Sequence, residues 1–279
     1  MSGLGITSTF GPQFASTATG SPSIARGAEV AAYDAARGLA FVLGPDGVDV
    51  LSATGLTFQF GLSRAAAQAA SPVTLGGGNS VAVSGDILAV AYDGAARGQN
   101  GAVVFYDLSS GTPTLTRVVT GPDFATPDQI TFTPDGTKLL VAIEGEPGDS
   151  YSSDARGGVG IIEVATGALT LAGFGAFDAE EAALRAAGVR LIGREAPTGP
   201  ANTADPSRDL EPEYIAINAA GTKAYVALQE NNALGVLDIA SGSFTAVLPF
   251  GLKDHDLAGN GLDASDRDGG PKIANHPIF

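Results

Sequence analysis

One unit recurs four times along the chain: apolar strand, tight turn, apolar strand, loop, and an apolar strand ending in an acid. A fold must bury every copy in the same way, so this repeat constrains the architecture more than any other feature. The first copy runs from Glu29–Tyr33 through a turn at Asp34–Gly38 to Leu39–Leu43 and Val48–Leu51. The second is Ser80–Val83, a turn at Ser84–Asp86, Ile87–Tyr92 and Ala102–Asp107. The third is Gln129–Phe132, a turn at Thr133–Lys138, Leu139–Ile143 and Val159–Val164. The fourth is Tyr214–Ile217, a turn at Asn218–Lys223, Ala224–Leu228 and Ala233–Ile239. The runs are short and β-branched, and Gly, Pro and Asp punctuate them. A weaker fourth strand closes the last three copies, as at Thr114–Val119 and Phe244–Leu248.

Four strands per copy predict an all-β fold, a β-propeller of radial four-stranded blades. A sandwich of regular hairpins competes. The propeller is preferred because the same turn chemistry returns at the same place, Pro134–Lys138 and Ala220–Lys223. One short inserted helix is expected, with Asp178 as N-cap, Glu181 three residues on, a body over Ala182–Ala187 and Gly188 as C-cap. Ser63–Ala70 is a second short helical stretch. Residues 1–27 are expected to be a closing strand (Leu4–Phe10) and linker. Residues 28–279 then hold four blades and the connection into a fifth, a piece of a ring of about seven blades.

Propeller geometry predicts one polar face. The inner strand descends, the hairpin turns at the bottom, and the second strand returns to the top. Residues before strand one and after strand two therefore share the top with the connections between blades. These are Asn79, Asp93, Asp128, Glu144, Glu146, Asp209, Glu211, Glu213, Gln229, Glu230, Asn231 and Asn232, then Lys253–Asp256 and Asn260–Asp268. The bottom turns are expected to carry far fewer acids. Clustered carboxylates raise one another's pKa unless a cation neutralises them. With oxygen ligands abundant and no Cys, Ca²⁺ is the first candidate. Ordinary solvation of acidic loops is the alternative. Asp263, Asp266 and Asp268, followed by Gly269, are similar to a calcium loop without EF-hand spacing.

Composition excludes several classes. Acids outnumber bases 30 to 15, and only four bases are Lys. That argues against nucleic acid and anionic membrane surfaces. The lack of Cys excludes a disulfide scaffold, a thiolate zinc site and thiol catalysis. No apolar run reaches the roughly 18 residues of a transmembrane helix. The first basic residue is Arg26, so no N-terminal secretory signal is expected. G-x-S-x-G, P-loop, G-x-G-x-x-G and H-E-x-x-H motifs are absent. His255 stands beside Lys253 and two Asp, and either proton transfer or plain solvation suits it. Arg267 between two acidic residues reads as a phosphate clamp or as their ion-pair partner. His276 carries no expectation.

Five motifs in order resemble the choice-of-anchor I family: Glu144–Tyr151, Asp209–Ile215, Leu228–Ala233, Lys253–His255 and Asn260–Asp268. These are bacterial surface or secreted β-propellers, similar to the mesenchyme-specific cell-surface glycoprotein. The resemblance spans about Glu29 to Asn275. It implies an extracellular or cell-surface setting, further blades beyond this chain, and company with phosphatase and calcium-binding repeat domains.

Two functions follow as expectations. In the first, Glu144, Glu146, Glu211, Glu213, Glu230, Asp263, Asp266 and Asp268 hold Ca²⁺ for hydrolysis of a small-molecule phosphoester. Lys253, His255 and Arg267 then supply positive charge or proton transfer. In the second, the same acids hold structural Ca²⁺ in a non-catalytic adhesion or scaffold module that takes a surface ligand.

Overall fold

Each apolar run forms a strand, and each Gly-bearing turn folds it back on its neighbour. The computed structural model describes residues 27–149, 153–192, 205–263, 267, 269, 273 and 274. The expected closing strand at Leu4–Phe10 lies outside them. Among the described residues sixteen strands form four antiparallel four-stranded sheets, each in simple sequence order. The first sheet holds β1 (Val30–Asp34), β2 (Leu39–Gly44), β3 (Gly47–Ser52) and β4 (Thr57–Ser63). The second holds β5 (Leu75–Ser84), β6 (Ile87–Gly94), β7 (Ala102–Asp107) and β8 (Thr114–Val119). The third holds β9 (Pro127–Phe132), β10 (Lys138–Ile143), β11 (Gly158–Glu163) and β12 (Leu169–Gly173). The fourth holds β13 (Tyr214–Ile217), β14 (Lys223–Leu228), β15 (Ala233–Asp238) and β16 (Ser243–Pro249).

The first strand of each sheet packs against the first and second strands of the sheet before it. That radial arrangement of inner strands makes these sheets propeller blades. The first blade also has a fourth strand, Thr57–Ser63, which its polar and Gly-containing sequence concealed. The bottom hairpin of every blade turns on a glycine in the left-handed region: Gly38 (φ 62°), Gly85 (φ 55°), Gly136 (φ 69°) and Gly221 (φ 67°). A Cβ is disfavoured there, which explains why the repeat keeps Gly at this point.

The hydrophobic core is divided among the seams between blades. Phe41, Leu43 and Val50 of blade one pack with Leu88, Val90 and Tyr92 of blade two. The opposite face of β6 contributes Ala89 and Ala91 to a second core with Ile130, Leu139 and Val141. The opposite face of β10 contributes Leu140 and Ala142 to a third with Ile215, Val226 and Leu237. Alternation along one strand thus supplies both of its neighbours. Side chains also bridge the seams. Ser80 Oγ accepts from the Ile130 amide at 3.1 Å, and Gln129 Oε1 accepts from the Ile215 amide at 2.9 Å. Arg117 donates to the Val164 carbonyl at 2.8 Å.

The helical segments differ in detail from expectation. Helix α1 spans Arg64–Gln68, with Ser63 as its N-cap. Before helix α2 (Glu181–Ala187) comes a 3₁₀ turn at Gly175–Glu180, so Glu180 rather than Asp178 occupies the N-cap. Asp178 instead accepts hydrogen bonds from the amide and hydroxyl of Ser207, a long-range pairing that outcompetes the local cap. Gly188 caps the C-terminus at φ 104°, as expected. A further short helix, α3 (Pro206–Asp209), precedes the fourth blade.

Candidate functional site

The channel mouth is built from corresponding positions of three blades. The pairings Val81–Val90, Ile130–Val141 and Ile215–Val226 put the blades in common register. Asn79, Asp128 and Glu213 then occupy one position at the head of the inner strand. Asp93, Glu144 and Gln229 occupy another at the end of the second strand. Asp93, Asp128, Glu144, Glu146, Asp209, Glu211, Glu213 and Glu230 are all half-buried. The loops after β10 and before β13 bring Glu146 and Glu211 to the same group. Blade one contributes Gly44 and Pro45 at the end of its second strand, and no acid there.

Electrostatics binds these residues into one group. Burial first, then the charges of Asp128, Glu146, Glu213 and Glu211, pushes Glu144 up to about 8. Burial and the charges of Glu230, Glu146, Asp209 and Glu213 push Glu211 to about 7. Burial, then hydrogen-bond contact and repulsion with Glu230, raise Glu213 to about 7. Burial and Asp93 raise Asp128 to about 6. Asp93 is raised by burial, opposed by the Asn79 amide, which donates to it at 2.9 Å and to the Pro127 carbonyl at 3.1 Å. Glu230 Oε2 is buried and accepts no hydrogen bond among the described residues.

The cation serving this mouth is Arg97, which donates from Nε to Glu146 at 3.1 Å and from Nη2 to the other oxygen. Its guanidinium is raised by Glu146 and, more weakly, by Asp149 and Glu211. Arg97, Asp93 and Asp128 stand outside the sequence-derived ligand set. The first sits in a Gly-rich loop whose reach into the mouth is fixed by folding. The two aspartates are marked in sequence only by corresponding to Glu144 and Glu213 in the repeat.

Lys253 and His255 stand on a different loop from these residues. Both belong to the loop after β16, which closes on itself: His255 Nδ1 lies 2.6 Å from the Asn260 carbonyl, and the Asn260 amide donates to the Asp254 carbonyl at 2.8 Å. Asp263 is exposed in the same region. Asp266, Asp268 and His276 lie outside the described residues. Among the described residues no three carboxylate or imidazole groups converge at coordination distance. The mouth is a set of carboxylates within Coulombic reach rather than a finished coordination sphere. Its donors are all hard oxygens, which fits Ca²⁺ and excludes thiolate-preferring metals.

The bottom turns carry Asp34, Asp86, Asp107, Asp135 and Asp238, fewer acids than the upper loops. All but Asp86, which pairs with Arg37 of the neighbouring blade, differ from the upper acids in having local partners. Asp34 accepts from the Ala36 and Arg37 amides at 2.9 and 3.1 Å, and Asp135 accepts from the Thr133 hydroxyl at 2.6 Å. Asp107 and Asp238 accept from the amides of Ser109 and Ser241 at 2.7 and 2.9 Å.

Solved structures share the fold at low identity. Kuenenia stuttgartiensis hydrazine synthase is 15% identical, with a TM-score of 0.52, over 80% of this chain and 62% of that one. The Cps50 (Swd1) β-propeller domain of Myceliophteria thermophila is 11% identical, with a TM-score of 0.50, over 80% of this chain and 56% of that one. The chain therefore spans less than two thirds of either neighbour, and the likeness concerns the propeller fold alone. No curated protein matches it. No helix among the described residues is long and apolar enough to cross a membrane. The family model for the choice-of-anchor I domain matches residues 29–279, so the chain belongs to the choice-of-anchor I domain family.

Proposed function

We propose that this chain is part of a surface-associated propeller module whose acidic channel mouth binds Ca²⁺, and that the bound ion ties three blades together. One observation carries the reading: Asp128, Glu144 and the pair Glu211 and Glu213 come from three separate stretches of the chain, yet burial and mutual repulsion raise all four carboxyls. A divalent cation would relieve that repulsion and replace the protons these groups otherwise retain. Membership of the family supports the surface setting.

Further blades would extend the module. The outer face of blade four presents Tyr214 (63% exposed), Tyr225 and Leu248 to solvent. Such an apolar sheet face resembles those buried at the three seams.

A phosphoester hydrolase is the second reading. It is favoured by Glu144 and Glu211, which retain protons near neutral pH and suit general acid catalysis. Lys253, His255 and Arg267 would supply its positive charge or proton transfer. One experiment separates the two readings. The protein is incubated with p-nitrophenyl phosphate and with phytate, in Ca²⁺ and in EDTA, and its melting temperature is recorded in both. A Ca²⁺-dependent melting shift without turnover supports the module; Ca²⁺-dependent turnover supports the hydrolase. No shift and no heat of Ca²⁺ binding would remove the cation from both. Glu213→Gln should weaken Ca²⁺ binding, and unchanged affinity would take Glu213 out of the site.

A further inference from the structure

Two Asn–Gly bonds occur in the chain, Asn100–Gly101 and Asn260–Gly261. In such a pair the backbone nitrogen of the glycine can attack the Asn side chain, because no Cβ obstructs the approach. Whether it does so depends on how the fold holds the two reacting groups, and here the two pairs are held in opposite ways.

At Asn100–Gly101 both groups are tied down. The Gly101 amide donates to the Phe124 carbonyl at 2.9 Å, and Asn100 Oδ1 accepts from the Phe124 amide at 2.9 Å. Gly101 is buried, and even a Cβ there would overlap the Tyr92 carbonyl and the Pro127 ring. The attacking nitrogen therefore keeps its hydrogen in a buried bond that is costly to break.

At Asn260–Gly261 the neighbouring amides are held but the reacting one is not. Asn260 donates to the Leu257 carbonyl at 3.0 Å and Leu262 to the Ala274 carbonyl at 2.9 Å, whereas the Gly261 amide donates to nothing among the described residues. Both Asn260 and Gly261 are only half-buried, so water reaches them. His255 favours the reaction further. Its Nδ1 lies 2.6 Å from the Asn260 carbonyl, and a carbonyl only accepts, so Nδ1 carries the hydrogen. A donor on that oxygen draws electrons out of the Asn260–Gly261 peptide and makes its N–H more acidic. The leaving nitrogen is placed too: Asn260 Nδ2 donates to the Asp254 carbonyl at 2.8 Å.

We propose that Asn260–Gly261 is a self-modification site whose reaction opens the loop 254–260. The Gly261 nitrogen attacks Asn260 Cγ, the N–Cγ bond forms and the Cγ–Nδ2 bond breaks. The hydrogen from Gly261 leaves with the side-chain nitrogen as ammonia. Water then opens the succinimide at either carbonyl, which gives isoaspartate or aspartate with no oxidation or reduction. The product carboxylate cannot donate to the Asp254 carbonyl. One bond that closes the loop is thus lost, and a negative charge is added to a loop that already carries Asp254 and Asp256.

The test ages the full chain at physiological temperature and neutral pH. Peptide mass spectrometry follows the gain of about 1 Da at each Asn, with heavy-oxygen water to mark hydrolysis. Asn260 is expected to convert about tenfold faster than Asn100 in the folded protein, and the two to convert alike in denaturant, where the fold no longer protects either. Equal rates in the folded protein, or no conversion at Asn260, overturn the proposal. A difference that persists in denaturant overturns it too, because the fold would not be its cause. His255→Ala should slow conversion at Asn260 several-fold and leave Asn100 unchanged, and His255→Asn, which keeps a donor, should recover part of the rate. An unchanged or faster rate in His255→Ala removes His255 from the step. Asn260→Asp supplies the carboxylate without the reaction and should speed hydrogen exchange over residues 254–260; unchanged exchange overturns the opening of the loop.

Discussion

At the bottom of the blades Asp34, Asp107, Asp135 and Asp238 each close a turn; at the top Asp128, Glu144, Glu211 and Glu213 face one another. The lower four are held below their ordinary values. For Asp107 and Asp238 the leading cause is a backbone amide, and for Asp135 it is the Thr133 hydroxyl. Burial opposes the shift at Asp34, but hydrogen bonds and charge from Arg37 outweigh it. The upper four are raised, with burial first in each case. Carboxyl groups therefore act as structural caps at one end of the fold and as a reservoir of unrelieved charge at the other. What separates them is burial among like charges at the top and solvent-exposed hydrogen-bond donors at the bottom.

The strongest way to break this contrast is to supply a cation. Ca²⁺ at about a hundredfold its Kd should stabilise the fold by about 2.7 kcal/mol, measured by denaturant unfolding against EDTA. The same titration on a protein carrying Glu144→Gln and Glu211→Gln should lose most of that gain, whereas Asp135→Asn at the bottom should keep it.

A pH series in EDTA gives the next largest effect. The upper carboxyls have folded values above their unfolded ones, so the folded state binds the proton more tightly. Their contribution is present at low pH and is lost as pH rises through about 6 to 8. Melting temperature should fall between pH 5.5 and pH 8, and Ca²⁺ should flatten the slope. The lower carboxyls have the opposite sign: their contribution is present above the ordinary value and lost as pH falls through the depressed folded one. A second decline should therefore appear at strongly acidic pH, unaffected by Ca²⁺. A melting temperature flat from pH 5.5 to 8 would contradict the electrostatic picture of the mouth.

Smaller effects sharpen the same division. Removing the turn cap in Asn218→Ala should cost about 1 kcal/mol, read from denaturant midpoints. Arg97→Ala should change stability by less than about 1 kcal/mol, because its pair with Glu146 is largely solvated. It should nevertheless tighten Ca²⁺ binding measurably, since a competing positive charge leaves the mouth. Weaker binding in that variant would assign Arg97 a supporting role instead.

Much of the fold was legible in the chain. The strand–turn–strand repeat with Gly136 and Gly221 at matched positions is local chemistry, and local chemistry survives into the structure. The same holds for Gly188 as a helix C-cap and for the short helical stretch after Ser63. Local chemistry failed where distant groups intervened. Asp178 had the context of an N-cap but was captured by Ser207, 29 residues away. The fourth strand of blade one has β-prone Thr57, Phe58 and Phe60, but Gly61 interrupts its pattern, and pairing with β3 carries the strand through to Ser63.

The sequence by itself determined that this protein is a repeat of four-stranded sheets with acids where the strands meet the channel mouth, because turn residues and alternation act over a few residues. Only the tertiary structure decided which acids share a charge environment. Register between blades joins Asp93 and Asp128 to Glu144, Glu211 and Glu213. Charge coupling depends on distance through a buried medium, and that distance exists only once the blades have packed.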